Sequence, residues 1–415
     1  MSGRLTPRIQ ASLTRLGGEM PFERAVESLA DTLRVRISEP TARRQAQKWG
    51  AAYVAFQEEE VERIEQELPP APVGPDKMLL SVDGAMVPLV GGEWAEVKTL
   101  VLGAIDEPVW EGEEWKVHAS ELSYFSRLME AELFGRAALS ETHRRGVESA
   151  SQVVAVTDGA VWEQGFIDYH RDDAARVLDF PHAAEYVAQM GNAVWGVETE
   201  TTKEWLSKQL HTLKHEGPTD VLSDLRTLVQ DHPELPELGE SLAYLEKREA
   251  HMQYPTYLAQ GWPIGSGAVE SGNKVVVEAR LKGAGMHWAR DNVNPMLALR
   301  NALCSGRWAE ARSRILTQQH QQTLRTRQLR REQRLAERAT VPATTETLPR
   351  IQPVEPAAEA PVPQPDPLPD ARAADPSDST TKREPWRPGP DHPWRHSPIG
   401  KARYRQRSRA PSAKN

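Results

Sequence analysis

Apolar positions recur with helical spacing through the first seventy residues. Phe22, Val26, Leu29 and Leu33 stand at i, i+4, i+7 and i+11, one stripe of a helix. A short connection, Arg34–Ser38, leads to a second stripe of Ala42, Ala46, Trp49 and Tyr53. Ser38 or Thr41 can cap that helix, and Pro40 suits its first turn. Two short helices across a tight turn predict a helix-turn-helix-like domain over residues 1–70. An acidic stretch, Glu58 to Glu67, then runs into the breaker Pro69-Pro70-Ala71-Pro72.

From Lys77 the pattern changes to short apolar runs bounded by turn residues. Met78-Leu79-Leu80-Ser81-Val82 ends at Asp83-Gly84, Val97 to Ile105 follows, and Gln152 to Val156 ends at Thr157-Asp158-Gly159. Ala175 to Leu178 ends at Asp179. A helix is expected from about Ser120 to Arg145, between the second and third runs. Strands alternating with helices predict an α/β sheet. Residues 183–260 carry tryptophans and leucines at helical spacing, broken at Gly217-Pro218 and Pro233 to Pro236. A turn-rich loop, Gly261 to Gly267, opens a helix to about Arg280, another helix spans about Val293 to Cys304, and Arg307 to Arg338 continues as a basic helix. The organisation expected is a catalytic core in two parts, 75–182 and 261–310, interrupted by a helical insertion, 183–260. A basic helix, 311–340, and a tail, 341–415, follow. Ten of the 32 prolines fall in residues 341–381, a composition that predicts disorder.

Charge sharpens this picture. The overall charge is −8, yet residues 307–338 hold nine arginines against three acids, and residues 382–415 hold ten lysines and arginines against two acids. An acidic body with basic arms points to a polyanionic partner, though such runs also occur as solvated tails. The second N-terminal helix adds Arg43, Arg44 and Lys48, residue types that meet phosphates and guanine edges. The same residues also fit an ordinary helical hairpin with a solvated basic face. Cys304 is the only cysteine, which excludes a disulfide scaffold, an all-cysteine zinc finger and an iron–sulfur cluster. No apolar run approaches the roughly 20 residues of a membrane helix, and Met1 to Met20 has no signal-peptide core. A cytoplasmic, nucleoid-associated protein is expected, with no membrane partner.

Three acids stand out by position. Asp83 and Asp158 end predicted strands, and Glu270 lies in the first turns of a helix after a Gly-rich loop. Residues at strand ends face the functional edge of an α/β sheet. Converging carboxylates repel one another unless a cation neutralises them. Hard oxygen ligands suit Mg²⁺ or Mn²⁺, and two such ions clamp the attacking and leaving oxygens of a phosphodiester. Asp-Gly is also a plain turn signal, and Glu270 with Lys274 is also a plain helix ion pair.

The order of motifs adds a family. Ser81-Val82-Asp83-Gly84, Thr157-Asp158-Gly159-Ala160-Val161-Trp162, Leu178-Asp179-Phe180-Pro181-His182-Ala183, Gly265-Ser266-Gly267-Ala268-Val269-Glu270-Ser271 and Arg280-Leu281-Lys282-Gly283-Ala284-Gly285-Met286-His287-Trp288 follow in sequence. Over about residues 75–310 this resembles the DDE transposases of bacterial insertion sequences, in the Kra-type group related to Mutator-like transposases. The resemblance implies a ribonuclease-H-like catalytic domain with an all-helical insertion before the last catalytic acid. It places the family's metal-binding acids on Asp83, Asp158 and Glu270, with gaps of 75 and 112 residues, the second holding the helical block. The family's Asp-x-x-His element falls on Asp179 and His182, which makes His182 a fourth catalytic candidate. The implied activity is cleavage and transfer of DNA strands at terminal inverted repeats, by a homo-oligomer, with target DNA as second substrate. A related nuclease or resolvase, or a non-catalytic DNA-binding descendant, would share many of these residues. Two departures stand out: Pro181 replaces a common aromatic, and one cysteine cannot build the relatives' cysteine-rich N-terminal segment. Arg280, Lys282, Arg290 and Arg300 are candidates to line a DNA channel. Trp288 and Trp262 are candidates to stack on an unpaired base, or simply core residues.

Overall fold

β1 (Lys77–Pro88) is built from two interleaved rows of side chains. Met78, Leu80 and Val82 point to one face of the sheet, and Leu79, Ser81, Asp83, Ala85 and Val87 to the other, as the two-residue period of a strand requires. β1 pairs along its whole length with antiparallel β2 (Trp94–Ile105), from Met78↔Ala104 to Pro88↔Trp94. Asp83-Gly84 is therefore not the strand end that the sequence reading expects. The β2 ladder continues past it, and the Asp83 carboxylate accepts the Gly84 N–H at 2.6 Å without reversing the chain.

The computed structural model describes residues 5–112 and 114–340. The tail 341–415, expected to be disordered, lies outside the described residues. The sheet is mixed and five-stranded, in the order β5-β2-β1-β6-β7, with β5 spanning Ala119–Arg127, β6 Gln152–Thr157 and β7 Ala175–Leu178. β2 and β5 are antiparallel, whereas β6 runs parallel to β1 and β7 parallel to β6. β5 corrects the helix expected from Ser120. Tyr124 to Arg127 are buried at full ladder pairing with β2, and α4 begins only at Ala131 and ends at Arg144. Pairing to an existing strand outweighs the helical tendency of this segment. A small hairpin, β3 (Val109–Glu111) and β4 (Glu114–Lys116), also escaped the pattern.

Helices cover both faces. α4 and α5 (Val161–Arg171) bury Phe134, Ala138, Phe166 and Ile167 against Leu80, Leu100 and Leu102. The expected helical block lies between β7 and the Gly-rich loop. It comprises α6 (Phe180–Trp195), α7 (Glu200–His215), α8 (Pro218–Asp231), α9 (Pro236–Glu246) and α10 (Tyr254–Ala259). Its leucines pack with Leu79, Val154, Val156 and Val177, so it shares a core with the sheet. The helix after the loop starts as α11 (Gly267–Gly272), loosens into a π turn over Asn273–Glu278 and closes as α12 (Ala279–Leu281). α13 (Arg290–Cys304) then packs across β5.

The N-terminal helices are α1 (Pro7–Glu19), α2 (Phe22–Leu33) and α3 (Glu39–Glu67). The stripe Ala42, Ala46, Trp49 and Tyr53 is buried as expected, but only Ala42 packs with Leu13 and Leu29 of the N-terminal helices, while Ala46, Trp49 and Tyr53 join the core of the body. Trp49 stacks on Trp308 of α14 (Trp308–Thr340) at 6.3 Å, and α3 lies along α13. Residues 1–70 are therefore not a separate domain. The acidic stretch stays helical because Val61 and Ile64 still face the core, each burial contributing about 1.5–3 kcal/mol. α14 is anchored by Ala311 and Ile315, while its side chains from His320 to Leu335 are exposed.

Candidate functional site

The backbone pairing of β1 with β6 stops at Leu80↔Ala155. Beyond that point the two strands separate, and Asp83 on β1 and Asp158 after β6 face the crevice. A cleft of about 180 Å³ opens there, lined by Asp83, Asp158, His182, Glu185, Ser266 and Glu270 among others. Four of the sequence candidates, Asp83, Asp158, Glu270 and His182, thus come together from four separate chain segments.

The carboxylates are not equivalent. Burial pushes the Asp83 carboxyl above its ordinary range, and the Asp158 and Glu270 charges add to the rise. Hydrogen bonds from Gly84 N–H and from Asn273 Nδ2, at 2.8 Å, oppose it. Asn273 stands in the π turn, a wider turn common at functional sites. Its own Oδ1 is buried without a partner. Glu270 is exposed, and its carboxylate accepts the Ser266 hydroxyl at 3.1 Å.

The tightest group of acids contains a residue that the sequence reading missed. Carboxylate oxygens of Asp83, Asp158 and Glu163 lie within 4.8 Å of one another, and such a group can hold a metal ion. Glu163 is the third residue of α5. It reaches back to accept Gly159 N–H at 3.0 Å and Ala160 N–H at 3.1 Å, half of a capping box. Burial, then the neighbouring Asp158 carboxylate, pushes its carboxyl up to about 10, so it keeps a proton at neutral pH. The available signal was its place five residues after Asp158, in the first turn of a helix that opens at the strand end.

Metal-free Glu163→Gln is expected to be more stable than wild type by roughly 2–4 kcal/mol at pH 8 and by almost nothing at pH 4. The folded carboxyl titrates above its unfolded value of 4.5, so folding is penalised only where the unfolded chain ionises. The gain therefore sets in above pH 4.5 and grows toward pH 10. Glutamine keeps the acceptor for Gly159 and Ala160 and supplies a donor to Asp158. Thermal melts in EDTA measure the difference, and an equal gain at both pH values would show that the carboxyl is not protonated.

The insertion helices hold the Asp158 turn from the other side. Arg248 donates to Gly159 O at 2.7 Å and lies over the Tyr244 ring at 3.6 Å, and the Tyr244 hydroxyl donates to Asp158 O. Gly159 has φ +83°, and a Cβ there would sit 2.4 Å from Arg248 Nε, so only glycine fits. Tyr244 stacks on Tyr186 at 3.9 Å, and the His182 ring meets both edge-on. Asp179 lines the same cleft, and its carboxylate caps α6, accepting His182 N–H at 2.9 Å and Ser266 N–H at 2.6 Å. Pro181 falls in the first turn of that helix, where its missing N–H costs nothing. The departure at this position leaves His182 at the rim of the cleft.

The basic candidates divide. Arg43, Arg44, Lys48 and Arg290 are exposed. Lys282 is half-buried and paired with Glu278 at 2.7 Å. Arg280 is a correction: it is buried, donates to Gly17 O at 2.9 Å and lies between the Phe22 and Trp288 rings. Trp288 is likewise buried, its Nε1–H given to Leu281 O at 3.1 Å. Neither is open to a phosphate or a base in this structure. Arg280 lies under the helices that the N-terminus brings over it. Arg300, expected in the channel, is a further correction: it is buried and donates to Gly18 O and Val276 O.

No family model matches the chain, and no curated protein is similar enough to be matched. Among the described residues, no helix is long and apolar enough to cross a membrane.

Proposed function

We propose that the protein is a DDE-type transposase of an insertion sequence, with a ribonuclease-H-like core. It binds terminal inverted repeats and carries out metal-dependent DNA strand cleavage and transfer. The observation that carries this reading is the convergence of Asp83, Asp158, Glu270 and His182 on one cleft of a mixed α/β sheet. The motif order and the helical block before Glu270 support it. The donor set suits a hard cation: only carboxylate oxygens, crowded enough to raise the Asp83 carboxyl, with the orphaned Asn273 Oδ1 beside them. Asp83, Asp158 and Glu270 would hold Mg²⁺ or Mn²⁺, with Glu163 as a further oxygen donor. When bound, a pair of such ions activates an attacking oxygen and neutralises charge on the leaving one.

The chain's own residues position the rest. Glu163, Tyr244 and Arg248 fix the Asp158 turn, and Asp179 ties the Ser266 loop to the start of α6. His182, which lines the cleft, would donate to a phosphate oxygen. The exposed Arg43, Arg44, Lys48 and Arg290, with the exposed arginines of α14, offer phosphate contacts. Joining two element ends calls for a homo-oligomer.

The test uses a labelled duplex carrying the element end, with Mg²⁺ or EDTA. A Mg²⁺-dependent nick at the terminus, followed by joined product, is the expected result. Cutting without joining assigns the protein to the nucleases or resolvases. Binding with no nick under any metal leaves a DNA-binding protein and removes the catalytic reading.

A further inference from the structure

The Ile264–Gly267 loop serves two concavities. Ser266 lines the acid cleft, while Ile264, Gly265 and Gly267 line a groove of about 950 Å³. Three tryptophans line that groove: Trp110 and Trp115 from the β3–β4 hairpin, and Trp262 from the loop. Lys116, Lys214 and His215 supply its basic groups.

The hairpin tryptophans are cross-strand partners, Trp110↔Trp115, yet the pair stays largely open to solvent. Trp110 and Trp115 meet edge to face at 5.5 Å and remain 58% and 63% exposed. A two-stranded hairpin of three-residue strands is marginal by itself, and the cross-strand indole pair helps to hold it while leaving more than half of each tryptophan exposed. Trp262 differs: it is half-buried and stacks on Tyr257 at 6.1 Å, which holds it as a firm wall. Lys116 and His118 both reach Glu111, at 3.7 and 3.1 Å, so the hairpin's charge is partly balanced.

Aromatic faces interleaved with cations match one ligand chemistry best. A duplex hides its base faces in the stack and presents backbone and base edges. An unpaired strand offers a free π face at each base and a phosphate between bases, so indoles and cations together read it without regard to sequence. The shared loop puts such a strand next to the acids.

We propose that this groove binds unpaired nucleotides of a DNA strand whose neighbouring phosphodiester lies in the acid cleft. The proposal rests on the strand-cleavage reading above and adds a subsite to it.

The test is made on the full chain in EDTA, so that it is independent of cleavage. Binding of a labelled 20-thymidine strand and of a blunt duplex is followed by fluorescence anisotropy. Trp110→Ala and Trp115→Ala are each expected to weaken single-strand binding about 5- to 100-fold. They should change duplex binding less than about twofold, and Trp115→Phe should recover most of the loss because a phenyl face still stacks. A 5-iodouracil strand should photo-crosslink to Trp110, Trp115 or Trp262. The crosslink decides the matter where the basic residues of 382–415 supply most of the affinity.

Crosslinks that map only elsewhere overturn the proposal. So does a Trp110→Ala variant that loses self-association in sedimentation but keeps its single-strand affinity, since the groove would then seat a second copy. A protein that nicks element ends, yet whose crosslinks avoid all three tryptophans, loses the groove alone. A protein that never nicks, yet shows tryptophan-dependent strand binding, loses the catalytic reading and keeps the groove.

Discussion

Asp83→Asn is expected to abolish the proposed Mg²⁺-dependent strand cleavage, by a factor on the order of 10³ or more, and to leave the metal-free fold slightly more stable than wild type. Both halves of that expected result come from the same crowding. Asp83 sits in a half-buried crevice with Asp158 and Glu163 within 4.8 Å, and burial and the neighbouring charges push its carboxyl up. The crowding is productive only when a cation neutralises it. Without metal it costs stability, because folding confines negative charge that the unfolded chain would leave in water.

Asparagine removes the charge and fits the space. It still accepts the Gly84 N–H, and a flip of the Asn273 amide lets its orphaned Oδ1 accept from the new side-chain N–H. A gain of about 1 kcal/mol follows. The sign with pH is fixed: a carboxyl raised in the folded state costs nothing below its unfolded value near 3.8 and progressively more above it. The gain of Asp83→Asn over wild type therefore appears at pH 8 in EDTA and vanishes near pH 3. Nicking assays and thermal melts read the two halves separately. Cleavage within tenfold of wild type would remove Asp83 from the metal set.

Gly50→Ala destabilises the protein by about 3 kcal/mol, although it adds a single methyl group to a helix. In an exposed helix the same change would stabilise. At Gly50 a Cβ would sit 2.1 Å from the carbonyl oxygen of Pro295 and 2.8 Å from its Cα. Those atoms are backbone of α13 and cannot rotate away, so α3 must move off α13 as a whole. Around that contact lie Trp49, Tyr53, Met296 and Leu297, whose packing a shift would loosen. Gly239→Ala in α9 is the matched control: nothing lies within 4 Å of its Cβ position, and a gain of about 0.5–1 kcal/mol is expected. Urea midpoints at constant slope compare the two. A Gly50→Ala midpoint equal to wild type would show that α3 and α13 do not pack this closely. Because α13 also packs against β5 and the π turn, the variant should lose the proposed cleavage activity along with stability.

Local patterning determined much of this protein. The stripes at Ala42, Ala46, Trp49 and Tyr53, and the leucines of α8 and α9, are helical because of spacing alone. The apolar runs of β1, β2, β6 and β7 are strands because short β-rich segments between breakers have few alternatives. The acids Asp83 and Asp158 were legible because they follow such runs, and Glu270 because a Gly-rich loop precedes it.

What required partners distant in sequence was not legible. Residues 119–127 become a strand only because β2 offers its edge. Glu163 belongs with Asp83 and Asp158 only because β6 lies beside β1. Arg280 and Arg300 look like a DNA channel in one dimension. In the fold, the carbonyls of Gly17 and Gly18 reach them from more than 260 residues away and take their donors. Periodicity reports which side of an element is apolar. Which cation is buried and which stays free for a phosphate depends on what the rest of the chain lays over it, and that is a property of the tertiary structure.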